Sequence, residues 1–123
     1  MKFLHLGDLH LGKRVYGYSM LDDQRFALEQ VVRMAAQHQV DAVVIAGDIY
    51  DTPVPSAEAV SVFDAFLSAL CEIEPQIAVM IIAGNHDSAR RIDFASSILA
   101  KHEVYIAGLP PMQEGETIRR VTL

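Results

Sequence analysis

Three stretches of this 123-residue sequence end an apolar run in glycine and then present oxygen and nitrogen donors: LHLGDLH at 4–10, VIAGDIYD at 44–51 and IAGNHDS at 82–88. Asp8 and His10 are two apart, so in an extended segment both point to the same side. Together with Asp48 and Asn85 they make a mixed oxygen and nitrogen ligand set. With no thiolate in it, this set suits Mn²⁺, Fe²⁺ or Zn²⁺ better than a structural zinc. Asp48 has two oxygens and could bridge two ions about 3.5–4 Å apart, the spacing at which a metal pair activates water and clamps a phosphoryl oxygen. Each stretch alone has an ordinary explanation, since Gly-Asp after a strand is usually a turn and Asn-His-Asp usually an exposed loop. Their occurrence together, each closing an apolar run, points to one site.

Bringing them together requires a particular arrangement of elements. Residues 2–6, 42–46, 76–83 and 104–106 read as short apolar strands. Residues 21–39 have helical spacing, with Leu21, Leu28, Val31 and Ala35 on one face. Ser56 is placed to cap a helix running to about residue 74, with Pro55 just outside it, and 94–101 reads as a short helix. Strand–helix–strand at this spacing predicts an α/β fold with βαβ units and a mostly parallel sheet. In such a sheet, ligands bind beyond the carboxyl ends of the strands, which is where all three Gly-Asp or Gly-Asn steps fall. Glycine allows the sharp turn there and leaves room for a ligand or a neighbouring strand. After the polar loop at 113–117, residues 118–123 read as the start of a further strand with no turn or cap behind it. Residues 1–123 are therefore expected to be the N-terminal portion of a longer domain.

Composition narrows the class. A hydrophobic content of 51% can fill one core in a chain of this length. No apolar run is long enough to span a bilayer, and the N-terminus lacks the succession of a secretory signal. The lone Cys71 has no partner in the chain and reads as a small core residue in a reducing compartment. A soluble cytoplasmic protein is expected. The net charge of −6 argues against a generally basic nucleic-acid-binding surface, but not against a phosphate substrate held through divalent cations.

At this point the residues carry a resemblance. Asp8-Leu9-His10, Gly47-Asp48-Ile49-Tyr50-Asp51 and Gly84-Asn85-His86-Asp87 resemble the first three motifs of the calcineurin-like metallophosphoesterases, which have a two-sheet α/β sandwich and a dinuclear metal site. More narrowly, HLGKRVYGYSMLDDQ at 10–24 and the GDIYDTPVPS beginning at Gly47 are similar to the bacterial SbcD nuclease subunits, relatives of the archaeal and eukaryotic nucleases that process double-strand breaks. The resemblance implies that Asp8, His10 and Asp48 hold one metal, that Asp48 and Asn85 hold the second, and that His86 faces the scissile phosphate. It also implies manganese.

Two departures qualify it. The family completes its site with histidines in later Gly-His and Gly-His-x-His motifs, whereas the remaining histidines here, His5, His38 and His102, sit in no such motif. The site is expected to be half built, and the chain by itself to be inactive. At Asp51, archaeal and eukaryotic relatives carry histidine, whereas phosphoprotein phosphatases have an Asp that orients the histidine of Asn-His. This suggests an Asp51–His86 pair that raises the imidazole pKa, beside the alternative of a loop-capping Asp.

The activity implied is metal-dependent phosphodiester hydrolysis by an exonuclease and endonuclease acting on DNA ends and hairpins, with His86 stabilising or protonating the leaving oxygen. Lys13, Arg14, Arg90 and Arg91 follow motif residues and are candidate clamps on the DNA backbone, or else solvated loop charges. No Walker-type lysine loop occurs, so ATP dependence would come from a partner, and the resemblance supplies the coiled-coil ATPase subunit SbcC. Other readings are a phosphoesterase for small phosphate esters and a non-catalytic scaffold of the same fold. Finally, the helix at 56–74 has two adjoining apolar stripes, Val60, Phe63, Leu67 and Leu70 beside Val62, Phe66, Ala69 and Ile73. That is wider than packing on one sheet needs. The second partner is either another helix of the same chain or a second copy. The family pairs its nuclease subunits through helices of this domain, which favours a homodimer.

Overall fold

A computed structural model describes residues 1–94, 96–117 and 120–123. Its frame is a four-stranded sheet of β1 (Phe3–Leu6), β4 (Ala42–Ala46), β5 (Ala78–Ile82) and β6 (Val104–Ala107), in that spatial order and parallel throughout. The register aligns Leu6 with Ile45 and Ala46 with Ile82, so β1, β4 and β5 end along one line. Each crossover steps one strand in the same direction. The connecting helices α1 (Leu21–His38) and α2 (Ala57–Cys71) therefore lie on one face and pack against each other. Val43, Ile45, Val79 and Ile81 point into that layer and are buried with Leu28, Ala35, Phe63, Phe66 and Leu70. The opposite face is more open, and Phe3 and Ile82 are each about half exposed.

Local chemistry accounts for the helix ends. Ser56 Oγ accepts from Ala59 N at 3.2 Å, the expected cap of α2. α1 has no side-chain cap, but Asp22 and Asp23 in its first turn complement the helix dipole, and Gln39 closes it in the left-handed region. α2 stops at Cys71, short of residue 74, and Pro75 follows too closely for the helix to continue. The helix expected over 94–101 is instead α4 (Ser96–Leu99) followed by a single 3₁₀ turn (Ala100–His102), and a short α3 (Ala89–Ile92) precedes it. The strand expected over 118–123 begins at Ile118 and Arg119, which lie outside the described residues, and 120–123 form no strand.

A two-stranded hairpin, β2 (Arg14–Val15) and β3 (Tyr18–Ser19), was not expected. Its two central residues, Tyr16 and Gly17, both have positive φ (49° and 80°), the mirror-image turn whose twist matches paired strands. The broad apolar surface of α2 is also resolved. Val62, Phe63, Phe66 and Leu70 come from both stripes, yet all are buried within this chain, with α1 as the second helical partner. Leu67, Ala69 and Ile73 are partly covered, and Val60 remains 44% exposed. Among the described residues, no helix is long and apolar enough to cross a membrane.

Candidate metal centre

The loops leaving β1 and β4 continue to pair after the strands have ended. Asp8 N donates to Gly47 O at 3.2 Å, His10 N to Asp48 O at 2.9 Å and Leu11 N to Ile49 O at 2.8 Å, and Asp51 N returns to Leu11 O at 3.2 Å. This ladder holds Asp8, His10 and Asp48 at φ 55°, 44° and 49°. For non-glycine residues that region costs about 1–2 kcal/mol each, and such strain concentrates at functional sites. Gly47, at φ 88°, makes the turn out of β4, and a Cβ there would come within 2.8 Å of the Gly84 backbone. A Cβ on Gly84 would overlap Oδ1 and N of Asp48. The two glycines are thus needed for the second and third loops to touch.

The donors converge at this junction. Ligand atoms of His10, Asp48 and His86 all lie within 4.8 Å of one another. His10 Nε2 is 3.8 Å from Asp8 Oδ1 and also 3.8 Å from Asp48 Oδ2. The His10 and His86 rings meet edge to face, with centroids 4.8 Å apart. Asp48 is buried, and its Oδ1 accepts from the main-chain N–H of His86 at 2.9 Å, leaving Oδ2 turned toward His10. Asp8 stands beside the cluster with its side chain 81% exposed, and Asn85 is exposed at the turn after β5.

Asp51 is not placed as expected. Its carboxylate faces His10, with Oδ1 3.2 Å from Nδ1 but out of line for a hydrogen bond, so that Nδ1 is buried without a hydrogen-bond partner. Asp51 meets His86 through the main chain instead: its carbonyl oxygen accepts from His86 Nδ1 at 3.0 Å. The reason is the ladder, which draws residue 51 back toward Leu11 and turns its side chain to the first loop. The expected direction of the His86 pKa still follows. The Asp51 carbonyl raises it, partial desolvation works the other way, and the nearby charges of Asp48, Asp51 and Asp87 raise it further.

Three residues with no assigned role hold the frame. Asp87, also buried, accepts from Gly84 N (2.8 Å), Ile49 N (3.1 Å) and Tyr50 N (2.9 Å). Gln24, on α1, accepts from Gly12 N at 3.1 Å and donates to the carbonyls of Leu9 (3.1 Å) and His10 (2.8 Å), tying the first loop to the helix layer. Tyr50 closes the floor of the site against Phe63, and burial, then Asp87 and Asp64, push its hydroxyl up to about 12, so it stays neutral. Asp87 belongs to a stretch rich in donors, but the sequence carries no sign that it turns inward to the backbone.

The candidate clamps lie around this centre. The main chain of Lys13 closes a turn on His10 O, its side chain is exposed, and Arg90 and Arg91 are exposed on α3. The guanidinium of Arg14 is engaged with the Gly17 carbonyl of its own hairpin.

The residues fit a divalent cation. Two imidazoles and a buried carboxylate converge, with His10 Nε2 turned toward Asp8 and Asp48. Among the described residues, the ion pairs of Asp8, Asp48 and Asp51 are all to His10, with no Lys or Arg. A pocket of carboxylates beside imidazole nitrogens favours a cation of the kind that takes mixed nitrogen and oxygen ligands.

Comparison with known proteins agrees with this geometry. Residues 1–118 match the model of the calcineurin-like phosphoesterase family. The chain is 39% identical over 106 residues to the SbcD subunit of the SbcCD nuclease of Staphylococcus epidermidis, covering 86% of this chain and 28% of that protein. It is 36% identical over 122 residues to the corresponding SbcCD nuclease subunit of Staphylococcus saprophyticus, covering 98% of this chain and 32% of that protein. It thus spans less than a third of the length of these relatives. The family match covers nearly the whole chain, including all three loops: this chain belongs to the calcineurin-like phosphoesterases.

Proposed function

We propose that this chain is the N-terminal part of the catalytic domain of an SbcD-like nuclease subunit, which hydrolyses DNA phosphodiesters at ends and hairpins as exonuclease and endonuclease in the cytoplasm. The observation that carries the reading is the convergence of His10, Asp48 and His86 at the carboxyl ends of three parallel strands, in a chain similar to two SbcD proteins. Asp8, His10 and Asp48 would hold one manganese ion, and Asp48 and Asn85 the second, with further histidines contributed from beyond residue 123. When bound, the ions supply Lewis acidity and an activated water. ATP dependence would come from an SbcC-like coiled-coil partner.

The chain's own residues do the rest. His86 Nδ1 is committed to the Asp51 carbonyl, which leaves Nε2 to carry a proton to the leaving oxygen. The Asp51 carboxylate lies 3.2 Å behind the His10 ring, on its Nδ1 side. Lys13, Arg90 and Arg91 are free to meet backbone phosphates, with Arg14 bracing the hairpin. At its tip Tyr16 is 97% exposed and Tyr18 is 78% exposed, rings available for stacking on unpaired bases and of little use to a small phosphate ester. A homodimer built on the helix layer would use the groove of about 400 Å³ between α1 and α2, where Leu28, Val32, Val62, Ala65 and Phe66 lie beside Arg25, Glu29 and Arg33.

The test is a side-by-side assay of the intact protein on hairpin DNA and nitrophenyl phosphate, with manganese and with chelator. The reading expects manganese-dependent hairpin cleavage that His86→Ala abolishes. Turnover of nitrophenyl phosphate alone would favour a small-ester phosphoesterase, and manganese binding without any hydrolysis would favour a scaffold.

A further inference from the structure

We propose that Asp87 is a positioning residue that sets the register of all three ligand-bearing loops, so that the metal centre is formed before any ion binds. The inference rests on the metal-centre reading above and deepens it. Among the described residues, Asp87 makes no hydrogen bond to an expected ligand side chain. Its three hydrogen-bond donors are main-chain amides, and it has no Lys, Arg or His ion-pair partner among the described residues.

The peptide planes show how it reaches the ligands. In the peptide between Asp48 and Ile49, the carbonyl accepts from His10 N at 2.9 Å and the N–H donates to Asp87 Oδ2 at 3.1 Å. In the next peptide, the Ile49 carbonyl accepts from Leu11 N at 2.8 Å and Tyr50 N donates to Asp87 Oδ1 at 2.9 Å. Two successive peptides are therefore held from both sides, by the first loop on one and by Asp87 on the other. The remaining bond, from Gly84 N at 2.8 Å, ties the same carboxylate to the start of the third loop. One side chain thus fixes the backbone on which Asp48 sits relative to those of His10 and His86.

Only a carboxylate meets this demand. Both oxygens face N–H donors, and an ionised carboxylate is acceptor-only. The amide of asparagine would turn its NH₂ toward at least one backbone N–H whichever way it flipped.

The experiment uses the intact protein and Mn²⁺ alone as probe. In the metal-free wild type, residue-resolved amide exchange should find Ile49, Tyr50 and Gly84 protected like the amides of β4, although all three lie in loops. Calorimetric titration of Asp87→Asn, well below its melting temperature, should show Mn²⁺ affinity reduced by about 10–100-fold, the range seen when outer partners of metal ligands are lost. The electron paramagnetic resonance spectrum of the bound Mn²⁺ should also change. A merely structural Asp87 would lower the melting temperature and leave affinity and spectrum alone. Wild-type affinity in Asp87→Asn, or loop-like exchange of the three amides in the wild type, would overturn the proposal, and the exchange measurement decides it even if the variant does not fold. Asp48→Ala is the control for the parent reading: if it binds Mn²⁺ like wild type, the metal centre itself is misassigned, whatever Asp87 does.

Discussion

The main-chain N–H of His86 donates to Oδ1 of Asp48 at 2.9 Å, so the loop after β5 is anchored on the carboxylate at the turn out of β4. The bond occupies one Asp48 oxygen and leaves Oδ2 directed at His10. It also brings the His86 ring to the other side of the same junction, edge-on to His10. The His86 imidazole and the Asp48 carboxylate are thus built as one unit, and the close approach of Gly84 to Asp48 makes it possible.

That approach leaves no room for a methyl group. Gly84→Ala should displace Asp48, cost about 1–3 kcal/mol in urea unfolding, as overpacking does, and abolish tight Mn²⁺ binding. Gly7→Ala is the comparison, because a Cβ there meets only Ala46 at an ordinary 3.9 Å. It should be neutral or slightly stabilising. Equal effects of the two substitutions would contradict the packing described.

His86 should titrate above the ordinary histidine value of about 6.5 in the metal-free protein. The Asp51 carbonyl and the surrounding carboxylates favour the cation, so the midpoint moves up and the ring stays protonated to higher pH. Bound cations act in the opposite sense and should bring the midpoint down. Nuclear magnetic resonance titration with and without Mn²⁺ checks both directions. A midpoint below the ordinary value without metal would mean that the Asp51 carbonyl is not its partner.

Gln24→Met keeps the helix and much of the side-chain volume but removes three hydrogen bonds to the first loop. At about 0.5–1.5 kcal/mol per bond, partly replaced by water, a loss of about 1–2 kcal/mol is expected. Manganese affinity should fall with it, since the His10 carbonyl is one of the groups released. Chemical denaturation and calorimetry measure the two effects, and an unchanged affinity would assign Gln24 to the helix alone.

Phe66 separates core from interface. It is 4% exposed within the single chain, so Phe66→Glu buries a charge without a partner and should cost the helical circular dichroism signal. Ala65→Glu, at an exposed position of the same helix that lines the groove with α1, should leave the fold intact and, if two copies pair through this face, shift sedimentation to the monomer. A folded Phe66→Glu protein would contradict the packing of α2.

Much of this was legible in the sequence because it depends on short-range pattern. The strand at 42–46 matches β4 residue for residue, and Ser56 caps α2 as its position implies. The convergence of Asp8, His10, Asp48 and His86 follows from a single rule about strand ends in parallel sheets. What escaped depends on contacts between distant segments. Nothing local distinguishes Asp87, which turns to three amides, from Asp51, whose side chain faces His10. The two-residue strands of the Tyr16-Gly17 hairpin are too short to show alternation. The width of the apolar surface on α2 signalled a second partner, but the packing of α1 had to be seen to supply it.

The position of bound manganese tests the three-loop site most directly. Crystals of the intact protein soaked in Mn²⁺ should give anomalous diffraction peaks coordinated by Asp48, one shared with Asp8 and His10 and the other with Asn85. Mn²⁺ peaks confined to other sites, with none coordinated by Asp48, would contradict the central claim that these three loops form the metal centre.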